Sequence, residues 1–266
     1  MKFKKIDEKK EHEVFWAPWR NLSNPDLYTG FINPWAYEEP ENLWGSLISN
    51  KANYKEYTPN IFQCPAVRET MESVYIIRNP TDSDATIEFD ENKVITGVTQ
   101  DQMRESPHLA RYSTVESTMA HLPSINNQIL FVYNFPMLFF STTPLMMRLT
   151  SPWFGNAPHL KYGAVIPGTF DIGRWFRPLN FEFNLWDDVT RFEIKAEEPL
   201  AFVEFATDKK IVFTRFECSQ KLFDLSNDMI LNRRPKLKTL ASRYDMFDKN
   251  PMRNLILNEL AKNIAG

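Results

Sequence analysis

Residues 179–186 alternate strictly, with Phe181, Phe183 and Leu185 facing one way and Glu182 and Asn184 the other. That period of two belongs to a half-buried strand and to no helix. Three more apolar runs follow at short intervals, over 192–195, 200–205 and 211–216. The gaps between them are too short for a crossover helix. Antiparallel pairing in a distorted sandwich or barrel is therefore expected, and a parallel α/β sheet is disfavoured. Upstream, 74–79, 85–89 and 94–98 read as a three-stranded meander, with turn residues at 80–84 and 90–93. The runs 129–135, 137–141 and 145–150 are separated by Pro136 and Pro144. The long polar stretch 101–127 reads as an irregular excursion. The expected fold class is mainly β, a β-rich α+β chain.

The two ends depart from this pattern. Four of the seven tryptophans (Trp16, Trp19, Trp35 and Trp44) lie in the first 60 residues with Pro18, Pro25, Pro34, Pro40 and Pro59. Prolines at that density forbid long helices and interior strands. Residues 1–60 are expected to be an extended, aromatic arm packed on the body, with one short helix over 41–49. Residues 61–217 form the sandwich or barrel body, and 218–266 a helical C-terminal segment. In that segment Ser219 is suited to cap a helix over 220–231. Asn250-Pro251 is suited to open another over 251–264, with Leu257, Leu260 and Ile264 on one face.

Twenty-one Phe and seven Trp in a chain that is 43% hydrophobic suffice to fill a sizeable core. A net charge of −3 gives no field that favours nucleic acid. The basic run Arg233, Arg234, Lys236, Lys238 and Arg243 reads first as a solvated face. Cys64 and Cys218 read as two reduced thiols, with a single disulfide as the alternative. The charged N-terminus has no apolar signal region, and no stretch reaches eighteen apolar residues. A cytoplasmic protein without a membrane span is expected.

No catalytic signature is present. The four histidines, His12, His108, His121 and His159, show no i, i+4 spacing and no HxH pair. No metal site is expected. If one exists it would gather His108, His121 and His159, in the manner of a cupin-like Fe(II) oxygenase. His12 sits in a charged run and reads as solvated. There is no GxSxG elbow, no Walker loop and no GxGxxG. The paired carboxylates Glu197-Glu198 and Asp187-Asp188 fall in expected hairpin turns.

The most informative segment is 162–178, where three of the eight glycines fall within eleven residues. Asp171, Arg174, Trp175 and Arg177 crowd this loop. Two arginines beside an indole suit an anion clamp or a base stack. A structural corner needs the same residues: a positive φ at Gly168, Trp175 as a plug, and arginines paired with acids.

From 145 to 205 a strand (Leu145-Met146-Met147-Arg148-Leu149-Thr150), a glycine turn (Gly163 to Gly168) and a second strand (Phe181 to Leu185) follow in order. This order resembles the core of the dUTPase and deoxycytidine-triphosphate deaminase superfamily. The resemblance implies fold rather than hydrolysis. Ile166 stands before Pro167-Gly168, where that family's catalytic turn carries an Asp, and its phosphate-binding serine motif is absent. The whole chain also resembles uncharacterised proteins of tailed phages that infect marine bacteria. Phe15-Trp16-Ala17-Pro18-Trp19, Gln63-Cys64-Pro65-Ala66 and the segment 167–178 carry that likeness.

Three function classes follow. The first is a phage-encoded, non-enzymatic binding or assembly protein working through the arm and the Trp175 corner. Its partner is a homo-oligomer or another protein, with no cofactor, no nucleic acid and no membrane. The second is a nucleotide-binding or nucleotide-processing protein of dUTPase-like fold. The third is the cupin-like oxygenase.

Overall fold

The structure, a computed structural model, describes residues 7, 10–18, 37–49, 64–80, 82–91, 95–99, 129–133, 137–179, 181–186, 189–231, 239–249 and 251–264. In chain order the strands are β1 (Glu11–Pro18), β2 (Glu41–Asn42), β3 (Val74–Arg78), β4 (Ser83–Phe89), β5 (Ile95–Thr99), β6 (Ile129–Tyr133) and β7 (Met137–Phe140). They continue with β8 (Met146–Thr150), β9 (Gly163–Val165), β10 (Gly168–Asp171), β11 (Phe181–Leu185), β12 (Arg191–Ile194), β13 (Pro199–Phe205) and β14 (Lys210–Arg215). The helices are α1 (Leu43–Ser49), α2 (Pro65–Glu72), α3 (Gln220–Leu231), α4 (Leu240–Lys249) and α5 (Met252–Asn263), with a 3-10 turn at Pro158–Lys161.

The described strands form four sheets, in the orders β14-β1-β7, β10-β8-β13-β3-β2, β6-β11-β9 and β12-β4-β5, and they close no barrel. The chain is a β-rich α+β protein built as a layered sandwich. One face of every sheet turns to a common core that contains Trp16, Phe139, Tyr75, Val203, Phe183 and Phe192. The far face of the β1 sheet packs Phe15, Phe140 and Phe216 under α3, α4 and α5. The far face of the β13 sheet packs Val74, Ile76 and Phe202 under α1 and α2. Each fully buried aromatic or aliphatic side chain contributes roughly 1.5–3 kcal/mol.

β1 is the middle strand of its sheet. It runs parallel to β14, with Glu11 opposite Lys210, and antiparallel to β7, with Phe15 opposite Phe140. Its residues Val14 to Ala17 are buried on both sides, with Val14 and Trp16 in the common core and Phe15 and Ala17 under the helices. A strand covered on both faces reads as a continuous apolar run, which is the local sequence here. The parallel β1–β14 pair departs from the antiparallel expectation. A parallel pair needs a long connection, and the whole body of the protein supplies it. The stretch read as part of an extended arm thus provides a core strand at residues 11–18. The meander is also divided: β4 pairs with β5, but β3 joins the sheet of β13.

At the C-terminus Ser219 caps α3, its Oγ accepting from the Leu222 backbone N–H at 3.4 Å. In α5 the buried row is Met252, Ile256 and Leu260, one residue round from the expected face, with Leu257 and Ile264 at its margin. α4 was not foreseen. Cys64 is exposed before α2 and Cys218 is buried before α3, both as free thiols. No described helix is long and apolar enough to cross a membrane.

The turn from β12 to β13 carries the chain from one sheet to another, not round the hairpin expected at Glu197-Glu198, and Glu197 there holds a left-handed φ of 64°. Its backbone N–H donates to the Asn79 carbonyl at 2.8 Å, and its carbonyl accepts from Arg78 Nη1 at 2.9 Å. These bonds survive any side-chain change, whereas the left-handed conformation costs an L-residue about 1–2 kcal/mol. Glu197→Gly therefore raises stability by about 0.5–1 kcal/mol, and Glu197→Val lowers it. Urea unfolding checks this, with the midpoint moving in opposite directions in the two variants.

Candidate functional site

The corner read as a ligand site is built around a buried carboxylate. β10 ends at Asp171, 4% exposed, and its Oδ1 accepts from the backbone N–H groups of Leu145 and Gly173, each at 2.9 Å. Tyr244 on α4 accepts the Asp171 backbone N–H at 2.7 Å, and burial raises the phenol above its ordinary pKa. Arg174 bridges outward, with Nη2 3.1 Å from Asp248 of α4 and Nε 3.7 Å from Asp171 Oδ2. Its guanidinium lies over the Tyr244 ring at 5.9 Å. Arg177 lies over Trp175 at 4.8 Å, and Trp175 leans on Phe170 at 5.7 Å.

Of the four residues singled out in the sequence, Asp171 and Arg174 meet at the joint between β10 and α4, while Trp175 and Arg177 form a separate pair against Phe170 of β10. Three details differ from the corner foreseen. Phe176 is the plug, fully buried against Phe140 and Phe216, and Trp175 is only half-buried. The positive φ belongs to Gly155 at 88°, not to Gly168. The segment holds two strands, β9 and β10, where a loop was read. Gly173 is needed for another reason: a Cβ there would collide with the Thr143 carbonyl.

A concave site lies elsewhere. A cleft of about 1420 Å³ opens between β14, the edge of one sheet, and β2, the edge of another. Its floor is aromatic. Tyr75 meets Phe213 edge-on at 5.2 Å and Phe205 at 5.7 Å, and Trp16 lies beside them. Trp16 is 2% exposed, its Nε1 has no hydrogen-bond partner, and Arg215 covers its ring at 5.1 Å. Burial raises the Tyr75 phenol, while its hydrogen bonds to the Ile211 backbone and the Asn42 side chain pull it back. One wall carries Glu38, Glu41, Glu69 and Glu72; the other carries Lys209 and Lys210. Sequence reading missed this cleft because it exists only once β1 draws β14 up against the first sheet.

The histidines are placed separately. His108 and His121 lie outside the described residues, as do Arg233, Arg234, Lys236 and Lys238 of the basic run, and Asp187-Asp188. His159, in the 3-10 turn, is fully buried and packs edge-on to Phe183 at 5.9 Å. Burial lowers its pKa to about 4, with only the Leu200 backbone acting the other way and no bond of good geometry to either ring nitrogen. His12 is not solvated: it is half-buried on β1, its Nε2 3.0 Å from Ser141 Oγ and 2.9 Å from Thr143 Oγ1. Among the described residues no three His, Cys, Asp or Glu side chains gather as a metal site would require. Comparison of the chain with protein-family models, with curated proteins and with solved structures finds no match in any of the three.

Two outcomes test these assignments. Asp171→Ala leaves two buried N–H groups without an acceptor and costs about 2–4 kcal/mol. Arg174→Ala removes a half-exposed pair and costs under about 1 kcal/mol. Chemical denaturation of the two variants checks the contrast. The folded pKa of His159 lies below its unfolded value, so the unfolded chain binds the extra proton first. Its effect on stability is absent above about pH 6.5 and grows as the pH falls toward 4, to about 3 kcal/mol. His159→Leu should flatten this acid limb in a pH series of thermal unfolding.

Proposed function

We propose that this chain is a binding or assembly protein that takes an extended segment of another polypeptide into the cleft between β14 and β2. One observation carries the reading: the edge of β14, unpaired among the described residues, opens onto an aromatic floor. An exposed strand edge offers a row of backbone donors and acceptors to an added strand, and an adjacent apolar floor accepts alternate side chains. Trp16 Nε1 adds a buried donor that a peptide carbonyl would satisfy. The opposed Glu and Lys walls suit a segment with charge of both signs, and they orient it.

A second copy is the less favoured occupant. Two β14 strands paired antiparallel about their centre would set Lys210 opposite Arg215 at both ends, and like charges directly opposite are destabilising.

The check is a display library of short unbiased peptides panned against the purified chain. Enriched peptides should bind the doubly charge-swapped variant Lys210→Glu/Glu69→Lys at least about tenfold more weakly, a loss of about 1.4 kcal/mol. No enrichment, or equal binding to the swapped variant, removes the cleft as the binding site.

A further inference from the structure

Beyond binding, we infer that the Thr143 hydroxyl is an acyl-acceptor site, with His12 as the base that activates it. The two side chains come from distant parts of the chain, β1 and the turn after β7, and meet at 2.9 Å between Thr143 Oγ1 and His12 Nε2. Thr143 is exposed, so a donor reaches its hydroxyl from solvent. Ser141 Oγ lies 3.0 Å from the same Nε2 and also receives the Thr143 backbone N–H at 3.4 Å. The tautomer with its proton on Nδ1 leaves one Nε2 lone pair facing both hydroxyls. A hydroxyl within hydrogen-bond reach of a neutral imidazole is the pairing that activates an oxygen nucleophile.

The surroundings keep the pair in register. The Ser141 N–H donates to the Ile172 carbonyl at 3.3 Å, and the Leu145 N–H to Asp171 at 2.9 Å. Arg253 of α5 donates to the Thr142 and Gly173 carbonyls, clamping both sides of the turn. Gly173 lets the two backbones approach. The turn is therefore held from β10 and α5, so the hydroxyl is positioned before any donor arrives, which lowers the entropic cost of attack. Lys209 faces His12 from the β13–β14 turn, while Glu13, next on β1, is buried and accepts from Thr214 at 2.6 Å. Burial first, and Lys209 second, hold the imidazole below its ordinary pKa, so it is a free base at neutral pH. Lys209 and Arg253 also place positive charge near an oxyanion formed at this turn.

The donor class is an activated acyl ester or thioester. Thr143 Oγ1 attacks the acyl carbon and its proton passes to His12 Nε2. The bond from acyl carbon to the leaving oxygen or sulfur breaks, and His12 returns the proton to that leaving group. The product is a threonine ester, one acyl group per chain, and of the cleft's lining the site uses only Lys209.

The test treats the full chain with p-nitrophenyl acetate and maps acetylation by mass spectrometry. One acetyl group is expected on Thr143. It should be absent in Thr143→Val, whose exposed side chain leaves thermal unfolding unchanged, and at least about tenfold slower in His12→Gln. In the wild type the rate should fall as the pH drops through the imidazole range, a readout that survives if His12→Gln fails to fold. Acetylation confined to lysines or the N-terminus, or a Thr143 rate indifferent to pH and to His12, overturns the proposal.

Discussion

Strand β1 donates and accepts hydrogen bonds along both edges and buries a side-chain row on both faces. Val14 and Trp16 enter the common core, while Phe15 and Ala17 lie under the C-terminal helices. Residues so committed leave no surface to spare: without β1, β14 loses its partner, β7 loses its register, and Phe140 and Phe216 lose the ring between them and the core. The layering of helix, sheet, core, sheet and helix rests on this insertion. A second strand, β13, does the same on the other side, between β8 and β3, with Phe202 under α1 and α2 and Val203 in the core.

The polar features follow from that packing. Where strands and helices meet at an angle, backbone groups are left over, and buried ones require partners. Asp171 answers two of them at the β10 corner, Asn79 answers the Ile194 and Lys195 carbonyls at the turn from β12 to β13, and Arg253 answers two more at the Thr142 turn. The cleft has the same origin. The edges of β14 and β2 stand apart, and the aromatic floor is the side of the core seen through that gap.

The acyl site proposed at Thr143 and the binding cleft proposed at β14 are neighbours across the β1–β14 pairing. His12 stands opposite Ile211 in the parallel register, and Ile211 belongs to the cleft. Neither site resembles the constellation that composition drew attention to. Asp171, Arg174, Trp175 and Arg177 are the most crowded chemical residues in the sequence, yet much of their hydrogen-bonding and stacking capacity is spent on one another and on α4.

Local sequence determined the strands and most of their boundaries, because alternation at 181–185 and 192–194 and the apolar run at 200–205 report which residues must leave water, and that is a property of neighbours along the chain. It determined the Ser219 cap as well, because a cap acts within one helical turn. It also assembled the Asp171 corner, whose members lie within seven residues of one another. Tertiary structure alone decided which strands pair. A continuous apolar run such as Val14 to Ala17 demands two covered faces but names neither neighbour, and the parallel partnership with β14 spans about two hundred residues of chain. For the same reason the cleft and the His12–Thr143 contact were illegible: each depends on positions brought together by that pairing, and no spacing along the chain encodes a distance across a sheet.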